Sequence, residues 1–229
     1  MLSYNEVKLL TNIKKLVHIE VEFSDDPGPG LQHLLDCHPN VANFILLFFQ
    51  VGPILGSHLL SIAKNCLKLG FLRIIGFNVE NPTVLRPNSK YFQCMTQLHL
   101  SLYDDSNLYG DSSDEEEEQD VSRHTAEIVQ FFLHSARNIE VINIHMNFES
   151  FMSEEFLKNI FSKNSLCKTT RLALSGPKDL KLDLSNVYWL LDTLPELSSL
   201  LVSKWNVNHK ELKALRNEAR RNNLDIVFT

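Results

Sequence analysis

The chain has 229 residues, of which 44% are hydrophobic and 22% charged, and its formal net charge is −6. This composition is typical of an ordinary folded protein and lacks the broad basic surface that duplex DNA or RNA requires. No apolar run is as long as a membrane span, and the N-terminus lacks the basic and apolar regions of a signal peptide. We therefore expect an intracellular protein, cytoplasmic or nuclear, that binds neither nucleic acid nor membrane.

A six-residue phrase, apolar-x-x-apolar-x-apolar, recurs along the chain and begins with Leu16, Ile19 and Val21. The middle positions are, in chain order, Ile19, Phe44, Leu72, Leu98, Ile142, Leu172, Leu200 and Ile226. Successive gaps are 25, 28, 26, 44, 30, 28 and 26 residues. Most of these gaps lie in or near the leucine-rich-repeat range of roughly 20–29 residues. The alternation inside each phrase predicts a strand.

Segments with helical period separate the phrases. Ile128, Val129, Phe132 and Leu133 form one such apolar stripe. Each unit is therefore predicted to be a helix, a short turn and a strand. Strands stack about 4.8 Å apart and helices about 8–10 Å apart, so such a stack must curve with its strands inside. We expect an α/β fold, namely one leucine-rich-repeat solenoid of about eight irregular repeats over residues 1–229.

The one long gap, of 44 residues, contains an acidic segment. Nine acidic residues and no Lys or Arg lie between residues 104 and 120. Without these nine, 19 of the 28 acidic residues remain, against 22 basic residues, so the rest of the chain is close to neutral. A dense run of like charge favours disorder. We expect a disordered acidic insert at about 104–121.

The acidic segment contains a phosphorylation pattern and an incomplete calcium-binding pattern. Ser112 and Ser113 each precede an acid three residues later, which predicts possible phosphorylation by an acidophilic kinase. The pattern from Asp105 to Glu116 approaches a calcium loop, but Tyr109 takes a ligand position and a strand-like segment precedes it. We therefore predict no metal site.

The four cysteines, Cys37, Cys66, Cys94 and Cys167, each fall between a helix end and the next strand. They form no Cys-x-x-Cys pair and no spacing suited to zinc. The favoured interpretation is that they are small apolar residues packed at the repeat corners. A redox or metal role is the alternative.

The segment 65–77, which reads NCLKLGFLRIIGF, resembles the cysteine-containing leucine-rich repeats of F-box proteins. In that pattern a Cys ends the helix, and a leucine triplet with a Gly-Cys turn follows; here Phe77 replaces the last Cys. The resemblance implies a curved α/β solenoid and a substrate receptor of a cullin-type ubiquitin ligase. The helical F-box module would precede the repeats, and the first strand here already begins at Leu16. We expect either a fragment of such a receptor or a repeat protein without the ligase connection.

The inward, concave strand face is the predicted binding surface, because side chains alternate along a strand. Its predicted partner-binding residues are His18, Glu20, Ile45, Leu47, Phe71, Arg73, Ile75, Gln97, His99, Asn143, His145 and Arg171. Four of them would form an apolar patch of the kind that marks a protein interface: Ile45, Leu47, Phe71 and Ile75.

Catalysis finds little support, because no phosphate-binding glycine loop, His-Glu-x-x-His motif or arranged nucleophile occurs. We expect no cofactor and a non-enzymatic, monomeric protein-recognition module. In its specific version the module selects substrates for an SCF-type ubiquitin ligase. The alternative is a stand-alone scaffold, or a regulator that acts through its acidic loop.

Overall fold

The structure, a computed structural model, describes residues 16–22, 28–48, 54–77, 79–80, 82–103, 115–146, 154–161, 166–181, 184–206, 209–221 and 223–228. The strands are β1 His18–Glu22, β2 Asn43–Phe48, β3 Ile54–Leu55, β4 Phe71–Phe77, β5 Val79–Glu80, β6 Gln97–Tyr103, β7 Val141–Met146, β8 Arg171–Lys181, β9 Ser199–Asn206 and β10 Asp225–Phe228. The α-helices are α1 Gly28–Cys37, α2 Gly56–Asn65, α3 Glu115–Ser135, α4 Glu154–Phe161, α5 Leu184–Thr193 and α6 His209–Arg221.

One parallel sheet contains eight of these strands in the order β1-β2-β4-β6-β7-β8-β9-β10. The order of the strands in this sheet is therefore the same as their order in the chain. The short strands β3 and β5 pair separately. The eight middle positions predicted from the sequence lie in one row across the sheet, each paired in register with the next. All eight are buried. The predicted strands and the burial of their middle residues in the core are therefore confirmed, and the fold is α/β with an open parallel sheet.

The helices form a second layer against the buried face of the sheet. Helix α1 contacts α2, α3 contacts α4, and α4 contacts α5, while the short 3-10 helix Pro82–Val84 contacts both α2 and α3. The predicted stripe of α3 is buried and joins the strand residues in one hydrophobic core. None of the helices in the described residues is both long and apolar enough to cross a membrane.

The unit before β6 departs from the predicted order of helix, turn and strand. An α-helix lies between each other pair of neighbouring strands of the eight-stranded sheet, whereas the stretch between β4 and β6 has the 3-10 helix and turns. Pro87 lies in this stretch and has no amide hydrogen to donate to a helix. Phe92 is buried and has a φ of 50°. The centroid of its ring lies 5.9 Å from that of Phe131 and 5.3 Å from that of Phe132. These aromatic contacts replace the packing that a helix would supply.

The predicted disordered insert at about 104–121 overlaps a helix. Helix α3 begins at Glu115, so residues 115–121 are helical instead of disordered. Acidic residues in the first turns of a helix interact favourably with its dipole, which explains why a dense acidic run can begin one. Residues 104–114, with Ser112 and Ser113, lie outside the described residues.

A repeated turn leads into the strands. Six backbone carbonyl oxygens each accept hydrogen bonds from two consecutive amide groups of the following unit, at 2.8–3.1 Å. These acceptors belong to Val17, Ala42, Gly70, Thr96, Glu140 and Thr170. These carbonyl groups therefore have hydrogen-bond partners even though they lie outside regular secondary structure. The turns are therefore stacked in the same register as the strands.

The register makes a stability prediction on β6. Leu98 is fully buried, whereas its neighbour Gln97 is exposed on the opposite face. We expect Leu98→Ala to lower the free energy of unfolding by about 2–5 kcal/mol, because it leaves a cavity in the core. Gln97→Ala should change it by less than about 0.5 kcal/mol. Urea denaturation of both variants measures this, and equal losses would contradict the register.

Candidate functional site

The face of the sheet opposite the helices is the candidate site, and we call it the open face. Its described positions lie in three rows across the sheet, displaced by one residue from the buried rows. The first row is His18, Asn43, Phe71, Gln97, Val141, Arg171, Ser199 and Asp225. The second row is Glu20, Ile45, Arg73, His99, Asn143, Ala173, Leu201 and Val227. The third row is Glu22, Leu47, Ile75, Ser101, His145, Ser175 and Ser203.

The structure places all twelve sequence-predicted residues on the open face. Six of them are exposed: His18, Glu20, Arg73, Gln97, Asn143 and Arg171. The other six, Ile45, Leu47, Phe71, Ile75, His99 and His145, are half-buried by their neighbours. Among the residues that the structure describes, this face is therefore not covered by a second layer. Their role in binding a partner remains a prediction.

The predicted apolar patch is divided by a charged side chain. Leu47 and Ile75 are paired in register, so these two apolar side chains are neighbours on adjacent strands. Ile45, however, is paired with Arg73, which separates Phe71 from Ile75 along β4. The patch thus consists of apolar side chains around one exposed guanidinium.

His99 lies at the centre of the open face. Its ring meets that of Phe71 edge-on, with 5.1 Å between the centroids. It is paired in register with Arg73 on one side and with Asn143 on the other. Burial, and secondly the positive charge of Arg73, lower the pKa of His99 below its ordinary value. The imidazole is therefore held closer to its neutral form than that of a solvated histidine.

A second apolar pair lies near the C-terminal edge of the sheet and was missed by the sequence reasoning. Leu201 and Val227 are paired in register and are 37% and 38% exposed. The alternation of β9 and β10 already contained this signal, since both residues lie next to a buried middle position. The open face therefore has apolar side chains at both ends of the sheet.

The predicted packing of cysteines at the corners is wrong for three of the four. Only Cys66 is buried, whereas Cys37, Cys94 and Cys167 are exposed; all four are free thiols. The buried corner position lies three residues before the first apolar residue of a phrase. Cys66 occupies it, as do His38, Phe92, Ala136, Leu166 and Leu194 in the other units. The remaining cysteines stand at other offsets and point to solvent.

A groove of about 450 Å³ lies at the turns beside α3, away from the open face. It is lined by Ser89, Gln93, Cys94, Ser135, Arg137 and Asn138. Asn138 Nδ2 donates to the Gln93 carbonyl oxygen at 2.8 Å, and the Asn88 amide donates to Ser135 Oγ at 3.1 Å. These bonds join the unit between β4 and β6 to the turn that follows α3. The groove is therefore explained by the packing of these two turns.

No metal-binding group is found in the described part of the chain. There, no group of three or more His, Cys, Asp or Glu side chains is arranged to hold a metal ion. The calcium-like pattern lies mostly in residues 104–114, outside the described residues. The segment before it is the strand β6, as the sequence predicts, and not the entering helix of a calcium-binding motif.

No known protein family matches the sequence of this chain, and no curated protein is similar to it at a significant level.

The environment of His99 makes a titration prediction. The free protein should show a pKa for His99 below 6.5, and Arg73→Gln should raise it without restoring 6.5, because burial is the larger cause. Since the pKa is lower in the folded state, His99 stabilises the fold above pH 6.5, and this contribution is lost as the pH falls through the folded-state pKa. Proton NMR of the imidazole against pH measures the shift. A pKa at or above 6.5 would contradict this environment.

The corner geometry predicts which thiols react. Burial raises the pKa of the Cys66 thiol to about 12, so almost no thiolate exists there at pH 8. Cys37, Cys94 and Cys167 should react rapidly with a disulfide reagent such as Ellman's, and Cys66 only when the protein unfolds. Mass spectrometry of the labelled peptides identifies the sites, with urea-unfolded protein as the control. Rapid labelling of native Cys66 would show that this corner is open.

Proposed function

We propose that this protein is a leucine-rich-repeat solenoid of about eight units that recognises a protein partner on the open face of its sheet. The repeat architecture is supported by the chain-order sheet, by the in-register row of buried middle positions and by the recurring turn. Such stacks use their strand face as an extended binding surface.

The observation that carries the proposal is the adjacent pair Leu47 and Ile75 on the uncovered face. The aromatic ring of Phe71 lies on the same two-strand surface and is half-buried. Apolar groups that are left beside polar ones on an open surface are characteristic of protein interfaces, where they supply most of the burial. The surface contains both the apolar anchors and the polar groups that an interface needs.

The specific version of the proposal is substrate recognition for an SCF-type ubiquitin ligase. Its support is the resemblance of residues 65–77 to the repeats of F-box proteins. Within that segment Cys66 takes the buried corner position after α2, and Leu69, Leu72 and Ile74 are buried. Burial of these positions is what any leucine-rich repeat requires, so it supports the repeat more strongly than the ligase.

The alternative is a regulator that acts through its acidic segment. Its support is the concentration of nine acids between residues 104 and 120. Such a segment would bind a basic partner through long-range attraction that weakens with salt. The two versions place the contact on different parts of the chain and can be separated by substitution.

The open face is tested with charge insertions. We expect Leu47→Glu and Phe71→Glu to abolish capture of the physiological partner from cell extract, because each buries a carboxylate in the interface. The matched control is Leu67→Glu, since Leu67 is 60% exposed at the turn after α2 and lies off the open face. Capture is quantified by mass spectrometry, after circular dichroism has shown that the variants are folded.

A separate variant changes all nine acids to their amides without shortening the chain. Loss of the partner in this variant alone would assign recognition to the acidic segment and contradict the open-face proposal. If the partner is a ligase substrate, removal of this protein from cells should lengthen the half-life of the partner. An unchanged half-life of the partner would mean that this protein recognises the partner without promoting its degradation.

A further inference from the structure

We propose that the centre of the open face binds an acidic side chain of the partner protein, with the carboxylate held by Arg73, His99 and Asn143. The inference rests on the proposed function and specifies the chemistry of the partner: an extended segment in which an Asp or Glu has an apolar residue two positions before it and another two positions after it.

The three side chains form a continuous row. Arg73 on β4 is paired in register with His99 on β6, and His99 is paired with Asn143 on β7. Neighbouring parallel strands lie about 4.8 Å apart, so the row extends over roughly 10 Å between its outer residues. Guanidinium, imidazole and carboxamide all donate hydrogen bonds, and a carboxylate offers about four lone-pair positions to accept them.

The distribution of charge selects an anionic ligand. On the six central strands, β2, β4, β6, β7, β8 and β9, the described open-face positions contain no Asp or Glu. They contain two arginines, Arg73 and Arg171, and two histidines, His99 and His145. Among the open-face positions whose side chains the structure describes, carboxylates occur on the edge strands, as Glu20 and Glu22 on β1 and Asp225 on β10. The nearest acid along the chain to β7 is Glu140, exposed at the turn before the strand.

One fixed positive charge in the row matches one carboxylate. Arg73 is exposed, so its planar guanidinium is accessible for a bidentate pair with a carboxylate. Phosphorylated side chains carry nearly two negative charges and are recognised by clusters of arginines, which this row lacks. The arrangement therefore favours aspartate or glutamate over a phosphorylated residue.

Apolar side chains flank the row on both sides. Phe71 precedes it in the first row, with its ring against His99, and Ile75 follows it in the third row beside Leu47. In an extended peptide, side chains two positions apart point to the same side, so an acidic side chain can meet Arg73 while apolar residues two positions before and after it meet Phe71 and Ile75. This spacing gives the expected order of apolar and acidic residues in the partner.

His99 makes the binding dependent on pH. The titratable or charged groups beside it on the open face of the adjacent strands are Arg73 on β4 and His145 on β7. A bound carboxylate stabilises the imidazolium, so it raises the pKa of His99, and the protonated protein binds the ligand more tightly. Affinity should therefore increase as the pH falls through the pKa of His99.

The test uses the isotope-labelled full chain and three blocked peptides of the form Leu-Ala-X-Ala-Leu, in which X is Glu, Gln or phosphoserine. NMR shift titrations give the dissociation constants and the sites of contact. We expect the Glu peptide to shift Arg73, His99 and Asn143 most, to raise the pKa of His99, and to bind at least about tenfold more tightly than the Gln peptide. Arg73→Gln should remove about tenfold in affinity.

Two further variants sharpen the result. His99→Gln should abolish the pH dependence and keep part of the affinity, whereas a purely structural role for His99 would leave the pH dependence in place. Arg216→Gln is the matched control, because Arg216 is an exposed arginine on α6 and lies off the open face. This control should bind like the unchanged protein.

The inference is overturned if the Glu and Gln peptides bind equally or if millimolar Glu peptide produces no shift in the row. It is also overturned if the shifts fall on α6, or if only the phosphoserine peptide binds. In each of these cases the capture experiment with Leu47→Glu and Phe71→Glu still decides the proposed function independently, because those variants do not depend on the charge of the partner.

Discussion

The stacked backbone carbonyl groups at the start of the strands are the constraint on which the rest of the structure depends. Each of six carbonyl oxygens receives two amide hydrogens from the next turn, and this fixes the offset between consecutive units. Once that offset is set, Phe44 must lie beside Leu72, and Leu72 beside Leu98. The buried row and the open-face rows are both consequences of this one offset, because a slip by one residue would exchange the two faces.

The strands could be predicted from the sequence because their burial is dictated by a period of two. Each middle residue of a phrase is flanked by residues of the opposite face, and this pattern survives even where Thr169 replaces an apolar residue. That threonine is buried, and its hydroxyl donates to the Ile139 carbonyl oxygen at 3.1 Å. The turns were harder, since burial there depends on a distance of three residues and not on residue type. Cys66 and Cys94 looked equivalent in sequence and differ in the structure for this reason.

The open face shows the same division between what sequence patterns predict and what requires the fold. Alternation assigned His99 and Arg73 to the correct face. Alternation alone does not show that they are neighbours, because their pairing depends on the register of β4 with β6, across a unit that has a 3-10 helix instead of an α-helix. In that unit Phe92 adopts a positive φ and completes the core without an α-helix. No periodic sequence pattern marks such a residue, so the conformation of this unit could not be predicted from the sequence.

The chain-order topology has a consequence for how this surface can change over evolutionary time. Among the described residues, each strand of the eight-stranded sheet pairs only with the strands beside it, and the order of these strands in the sheet follows their order in the chain. A substitution at one position therefore alters only the surface close to it and leaves distant parts of the open face, such as the pair Leu201 and Val227, unchanged. Open-face residues can therefore be substituted one at a time without disturbing the fold. A lineage can exchange one partner for another through a few such single substitutions.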